Sequence, residues 1–102
     1  MHAWQWVRKT YPGLLIFHVP SGEVRDVATA MKLKRMGVIP GVADFLCFKG
    51  PRRVALELKN ATGRMSKAQQ AFQRQWMQEG GEYYLIKDLP GFKMAVDAIA
   101  LF

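Results

Sequence analysis

The sequence carries one cysteine, two histidines and eight acidic residues in 102 positions. Each shortage excludes something. Cys47 alone cannot close an internal disulfide, so neither a disulfide scaffold nor a multi-cysteine metal site is open to this chain, and a reducing compartment fits best. His18 has only His2 as a companion, so no clustered histidine site is visible, and His18 reads as a core or strand-end residue. No run approaches the roughly 18 to 20 apolar residues that span a bilayer. Arg8 and Lys9 come too early to introduce a continuous hydrophobic signal region. The expectation is a soluble protein of the cytoplasm with no membrane partner.

What is present is apolar and basic. Half of the residues are hydrophobic, with six Phe, three Trp and three Tyr, which suffices to close one core and excludes disorder. A chain this long has room for one domain. Fifteen Lys and Arg against eight Asp and Glu give a net charge of +7. The excess is uneven, with +4 over residues 1–40, +4 over 41–80 and −1 over 81–102. That distribution favours a polyanionic partner and also suits ordinary solubility.

The apolar pattern predicts eight elements. Met1 to Thr10 reads as the last turns of a helix, and Leu14 to Val19 as a short buried strand between Pro-containing turns. Asp26 caps a basic helix that runs to Gly37 and offers Lys32, Lys34 and Arg35. Ala43 to Phe48 and Arg53 to Lys59 form a hairpin around Lys49-Gly50-Pro51-Arg52. Ser66 and Gln69 match a capping box that opens a helix to about Glu79, with Ala68, Phe72 and Trp76 as its apolar stripe. Gly80-Gly81 ends it, and Tyr83 to Ile86 is a strand in which one tyrosine is buried and the other exposed. Pro90 opens a last helix that buries Phe92, Val96 and Ile99. The order implies an α/β domain, a small mixed β-sheet flanked by helices, with the strand order undetermined.

The least ordinary charges are Glu57 and Lys59, which alternate with Ala55, Leu56 and Leu58 in an apolar strand and share one face. The bland explanation is a half-exposed strand with both groups in solvent. Asp44 shifts the balance, because it enters the neighbouring hydrophobic strand a hairpin's length away. Two clustered carboxylates repel unless a proton or cation compensates, and hard oxygen ligands suit Mg²⁺ or Mn²⁺. The candidate metal ligands are therefore Asp44, Glu57 and the Leu58 carbonyl, with Lys59 beside them. Such a site fits hydrolysis of a phosphodiester, with Lys59 holding the water or neutralising developing charge.

Three stretches carry a resemblance: Gly41-Val42-Ala43-Asp44, then Glu57-Leu58-Lys59, then Gly63-Arg64-Met65-Ser66-Lys67-Ala68-Gln69. In order and spacing the chain resembles the VRR-NUC branch of the PD-(D/E)XK nucleases over about sixty residues, from Val19 to Gly81. The resemblance implies a restriction-endonuclease-like core spanning residues 1–102, with a shortened first helix, and a metal-dependent DNA endonuclease. It matches Asp44, Glu57 and Lys59 to the acidic, acidic and lysine catalytic positions, and Gln69 to a helix glutamine near the active site. Read from the residues alone, Gln69 is a helix cap, and the two roles compete for one rotamer.

Two positions depart from the family pattern. Many members have an acidic residue on the initial helix, and Met1 to Lys9 has none, so this copy either lacks that ligand or takes it from an upstream segment. Ala43 stands where proline is common, which removes a backbone constraint and no ligand atom. Arg25, Lys32, Lys34, Arg35, Arg64 and Lys67 are the candidate DNA-binding residues, with Arg52, Arg53 and Arg74 in a wider basic track. Stand-alone relatives look like homodimers that attack branched DNA, including four-way junctions, in bacterial or phage-infected cells. The alternative is a catalytically weak or inactive DNA-binding or assembly module on the same scaffold.

Overall fold

The structure, a computed structural model, describes residues 2–20, 26–59 and 63–102. Arg25, the turn after Pro20 and the loop residues 60–62 lie outside the described residues. The order is α1 (His2–Thr10), β1 (Leu15–His18), α2 (Val27–Arg35), β2 (Phe45–Lys49), β3 (Arg52–Leu58), α3 (Lys67–Gln78), β4 (Glu82–Ile86) and α4 (Leu89–Leu101). The four strands form one sheet in the order β1-β2-β3-β4. The β1–β2 and β2–β3 pairs are antiparallel and β3–β4 is parallel, so the sheet is mixed as expected. Parallel neighbours need a crossover, and α3 supplies it. No helix among the described residues is long and apolar enough to cross a membrane.

Period-two alternation gives the sheet two unlike faces. Phe45, Cys47, Val54, Leu56 and Ile86 point to one side, where Ala3 and Val7 of α1 and Phe92, Val96 and Ile99 of α4 close the main core. The predicted stripe of α4 is fully buried, each side chain contributing roughly 1.5 to 3 kcal/mol. Asp88 caps that helix by accepting from the Gly91 N–H at 2.8 Å. Burial pushes the Cys47 thiol up to about 11, which leaves it a small apolar side chain.

The other face is covered from one end only. Phe72 packs on Tyr83 with ring centroids 6.4 Å apart, and Trp76 on Phe48 at 6.5 Å. The Trp76 indole N–H donates to the Glu82 carbonyl at 2.8 Å. Trp76 and Phe72 are thus packing residues. This cover stops short of β1, so the expectation of a buried first strand is corrected: only Ile16 is buried, and Leu15 and Phe17 are 59% and 40% exposed. The basic helix α2 forms where predicted, with the Asp26 carboxylate accepting from the Thr29 N–H at 2.7 Å, yet it buries none of its residues.

Candidate functional site

The candidate residues converge where β2 begins, β3 ends and α3 starts. Phe45 pairs with Leu56, which places Asp44 opposite Glu57 one rung further on. Asp44 is held at both ends. Its carbonyl accepts from the Val19 N–H at 2.8 Å and lies 2.8 Å from the His18 ring nitrogen Nδ1, while its Oδ2 accepts from the Leu58 N–H at 2.7 Å. His18 is therefore a strand-end residue, as expected, and braces the backbone of Asp44.

Glu57 overturns the solvent-facing reading of its strand. It is 5% exposed and is the one buried charged residue among those described. The reason is α3, which lies over the face that Glu57 shares with Ala55. Burial, then the charge of Asp44, pushes the Glu57 carboxyl up to about 7. Backbone hydrogen bonding from Asp44 and the Gln69 amide pull the other way. Desolvation and a like-charged neighbour are the ordinary signature of a carboxylate pair that takes up a proton or a cation.

Gln69 resolves the competition predicted for its side chain. Its Oε1 accepts from the Ser66 N–H at 2.7 Å, Ser66 Oγ accepts from the Gln69 N–H at 3.1 Å, and Nε2 donates to Glu57 Oε1 at 2.9 Å. The capping box fixes the amide plane, and the far end of the same amide holds the carboxylate. One rotamer serves both roles because the amide has an acceptor and a donor end. The first turn of α3 thus lies against Glu57, where the positive end of a helix favours an ionised carboxylate. Gly41 brings the loop before Asp44 against this turn: at φ +81°, a Cβ there would lie 2.3 Å from the Ala68 carbonyl carbon.

Glu57, Lys59, Gly63, Arg64, Gln69 and Leu85 line a small cleft of about 30 Å³ at this point. Lys59 is exposed at its rim, its backbone N–H bonded to the Ile86 carbonyl at 2.8 Å. Lys67 is exposed at the first position of α3, and Lys32, Lys34 and Arg35 are exposed on α2. The wider track is partly engaged within the chain. Arg52 forms a fork with Glu82 at 2.8 and 2.9 Å, and Arg53 donates to the Glu79 carbonyl.

The chemistry of the donor set fits a hard divalent cation. Glu57 Oε2 is buried without a hydrogen-bond partner, so one carboxylate oxygen of the pair is left to take a proton or a cation. Among the described residues no third His, Cys, Asp or Glu joins the two carboxylates, in keeping with the absence of an acid from α1.

No family model and no curated protein matches the sequence. A solved structure described as "VRR_NUC domain protein" matches with a TM-score of 0.74 and 21% identity, over 95% of this chain and 80% of that one. In fold, the chain is similar to a VRR_NUC domain protein. The VRR_NUC-like fold extends well beyond the stretch that carries the sequence motifs, taking in nearly the whole chain. The expected restriction-endonuclease-like α/β core is therefore present.

From the sequence, one of Tyr83 and Tyr84 is expected to be buried, with no choice between them and no link to Glu57. Tyr83 pairs with Ala55 and so faces the same side of the sheet as Glu57, while Tyr84 on the other side is 43% exposed. The available signal was the register of β4 against β3, which periodicity alone does not supply.

Proposed function

We propose that residues 1–102 form one VRR-NUC-type nuclease domain, a Mg²⁺- or Mn²⁺-dependent endodeoxyribonuclease that hydrolyses phosphodiester bonds in branched DNA such as four-way junctions. The observation that carries this reading is the buried Glu57 set opposite Asp44 with one oxygen unpartnered, at the end of a strand whose next outward charge is Lys59. Asp44, Glu57 and the Leu58 carbonyl would hold the cation. When bound, it supplies Lewis-acid polarisation of the phosphate and activation of water. Asp44 is kept in place by the Leu58 N–H, and Glu57 by Gln69. Lys59, at the rim, neutralises charge that builds on the phosphate and orients the attacking water.

The basic groups at the cleft and on α2 favour a phosphate backbone, and Lys32, Lys34, Arg35, Arg64 and Lys67, together with Arg25, are the proposed DNA contacts. A homodimer would widen this basic surface. It is supported by the exposed apolar residues Val27, Met31, Met36 and Ile39, at 75%, 54%, 68% and 61% exposure, more than a lone basic helix needs in water. The single buried thiol suits the reducing cytoplasm of a bacterial or phage-infected cell.

The test is cleavage of linear, flap and four-way DNA by the purified protein with Mg²⁺ or Mn²⁺. The expected result is cutting of the branched substrate. Asp44→Ala, Glu57→Ala and Lys59→Ala should suppress cutting more than binding. Salt-sensitive binding without cutting under either ion would reject the enzyme and leave a DNA-binding or assembly module. The absence of an acid from α1 is the observation that favours this second reading.

A further inference from the structure

Two buried side-chain polar atoms among the described residues have no hydrogen-bond partner, and they belong to one region of the fold. They are Glu57 Oε2 and the Tyr83 hydroxyl. The parallel register pairs Ala55 with Tyr83 and Glu57 with Leu85, so Tyr83 lies one same-face step along the sheet from Glu57. Phe72 packs against the Tyr83 ring, 6.4 Å between centroids, one turn along α3 from the Gln69 amide that holds the other Glu57 oxygen. The ring is thus fixed by the helix that fixes the carboxylate.

The two groups are complementary. Burial first, then the charges of Glu57 and Asp44, hold the Tyr83 hydroxyl well above its ordinary range, so it stays a protonated donor. Glu57 Oε2 is an acceptor with room for more than one partner. A buried donor and a buried acceptor each left unmade are costly, and natural structures pair such groups directly or through an ordered water.

We propose that Tyr83 is a positioning residue of the Asp44–Glu57 site, its hydroxyl donating through one bridging water to Glu57 Oε2 and setting the orientation in which that carboxylate holds a divalent cation. This rests on the cation reading of the pair given above. Tyr83 touches neither phosphate nor the attacking water; it acts through Glu57.

The experiment is a Mn²⁺ titration of the full chain, followed by electron paramagnetic resonance of the free ion, for wild type, Tyr83→Phe, Tyr84→Phe and Glu57→Gln. Phenylalanine keeps the packing on Phe72 and removes only the hydroxyl. Tyr83→Phe should bind Mn²⁺ about tenfold more weakly, the usual effect of losing a group that orients a metal ligand. Its thermal midpoint in a chelator should fall by only a few degrees, because the packing on Phe72 is kept and one water-mediated hydrogen bond, worth about 1 kcal/mol, is lost. Tyr84, whose hydroxyl donates to Glu82 at 3.0 Å on the other face, is the control and should bind as wild type does. Wild-type affinity in Tyr83→Phe would overturn the assignment. A wild type with no Mn²⁺ site that Glu57→Gln abolishes would overturn the cation reading itself, and this proposal with it. The two failures are distinct, because the second is seen without any tyrosine variant.

Discussion

Replacing Glu57 by glutamine separates the electrostatics of the site from its packing. The side chain keeps its volume, and its amide oxygen still accepts from Gln69 Nε2, but the ionisable group is lost. In the folded chain the carboxyl stands at about 7, against an ordinary value of 4.5 that the unfolded chain regains. The folded state therefore binds this proton more tightly. Unfolding releases it between those values, so the contribution to stability is fully present below about pH 4.5 and is lost as pH rises through 7. At 1.36 kcal/mol per pKa unit, the total for this one group is about 3 kcal/mol. For a domain of this size, that is on the order of 10 to 20 °C in thermal midpoint.

The assay is thermal unfolding of wild type and Glu57→Gln in a chelator from pH 4.5 to 8.5. Wild type should lose ground to the variant across the window and then run parallel above pH 7. Adding Mn²⁺ should reverse the ranking on the alkaline side, because a cation stabilises only the ionised pair. Parallel profiles throughout would refute the idea that burial and Asp44 hold the Glu57 proton.

Two further substitutions probe how the fold presents the site. Gln69→Ala removes both a helix cap and the hydrogen bond to Glu57, and should cost roughly 2 kcal/mol in urea unfolding, against about 1 for Ser66→Ala, which loses the cap alone. Equal losses would deny the link between helix and carboxylate. Gly41→Ala forces a Cβ toward the first turn of α3 at a left-handed backbone position, and should destabilise by roughly 2 to 4 kcal/mol while weakening Mn²⁺ binding. Wild-type stability there would show that the loop yields freely.

The elements were legible because their signals are local. Asp26 and Ser66 cap helices through their own next turn, Pro90 marks the first turn of α4, and the α4 stripe needs only a 3.6-residue period. The burial of Glu57 was not legible by that same local rule, which left a solvent-facing strand open beside the carboxylate pair. Alternation says that Glu57 and Leu58 face opposite ways, but not that a helix covers both faces, and only the crossover through α3 buries the charge. Leu15 and Phe17 failed in the reverse sense: an apolar run at the sheet edge looks like a core strand until the reach of α3 is known. The double duty of Gln69 lay beyond any pattern, since it depends on where the capping box sits relative to β3. Tyr83 needed the register of a parallel pair whose partners lie 28 residues apart in the chain.

Everything proposed for this fold turns on whether Asp44 and Glu57 hold a divalent cation together. The most direct measurement is anomalous diffraction from crystals of the protein soaked in Mn²⁺ above pH 7. Mn²⁺ should give a peak bounded by the Asp44 carboxylate, Glu57 Oε2 and the Leu58 carbonyl, and the peak should be lost in Glu57→Gln. Mn²⁺ bound elsewhere, or a peak that survives in Glu57→Gln, would contradict a shared site.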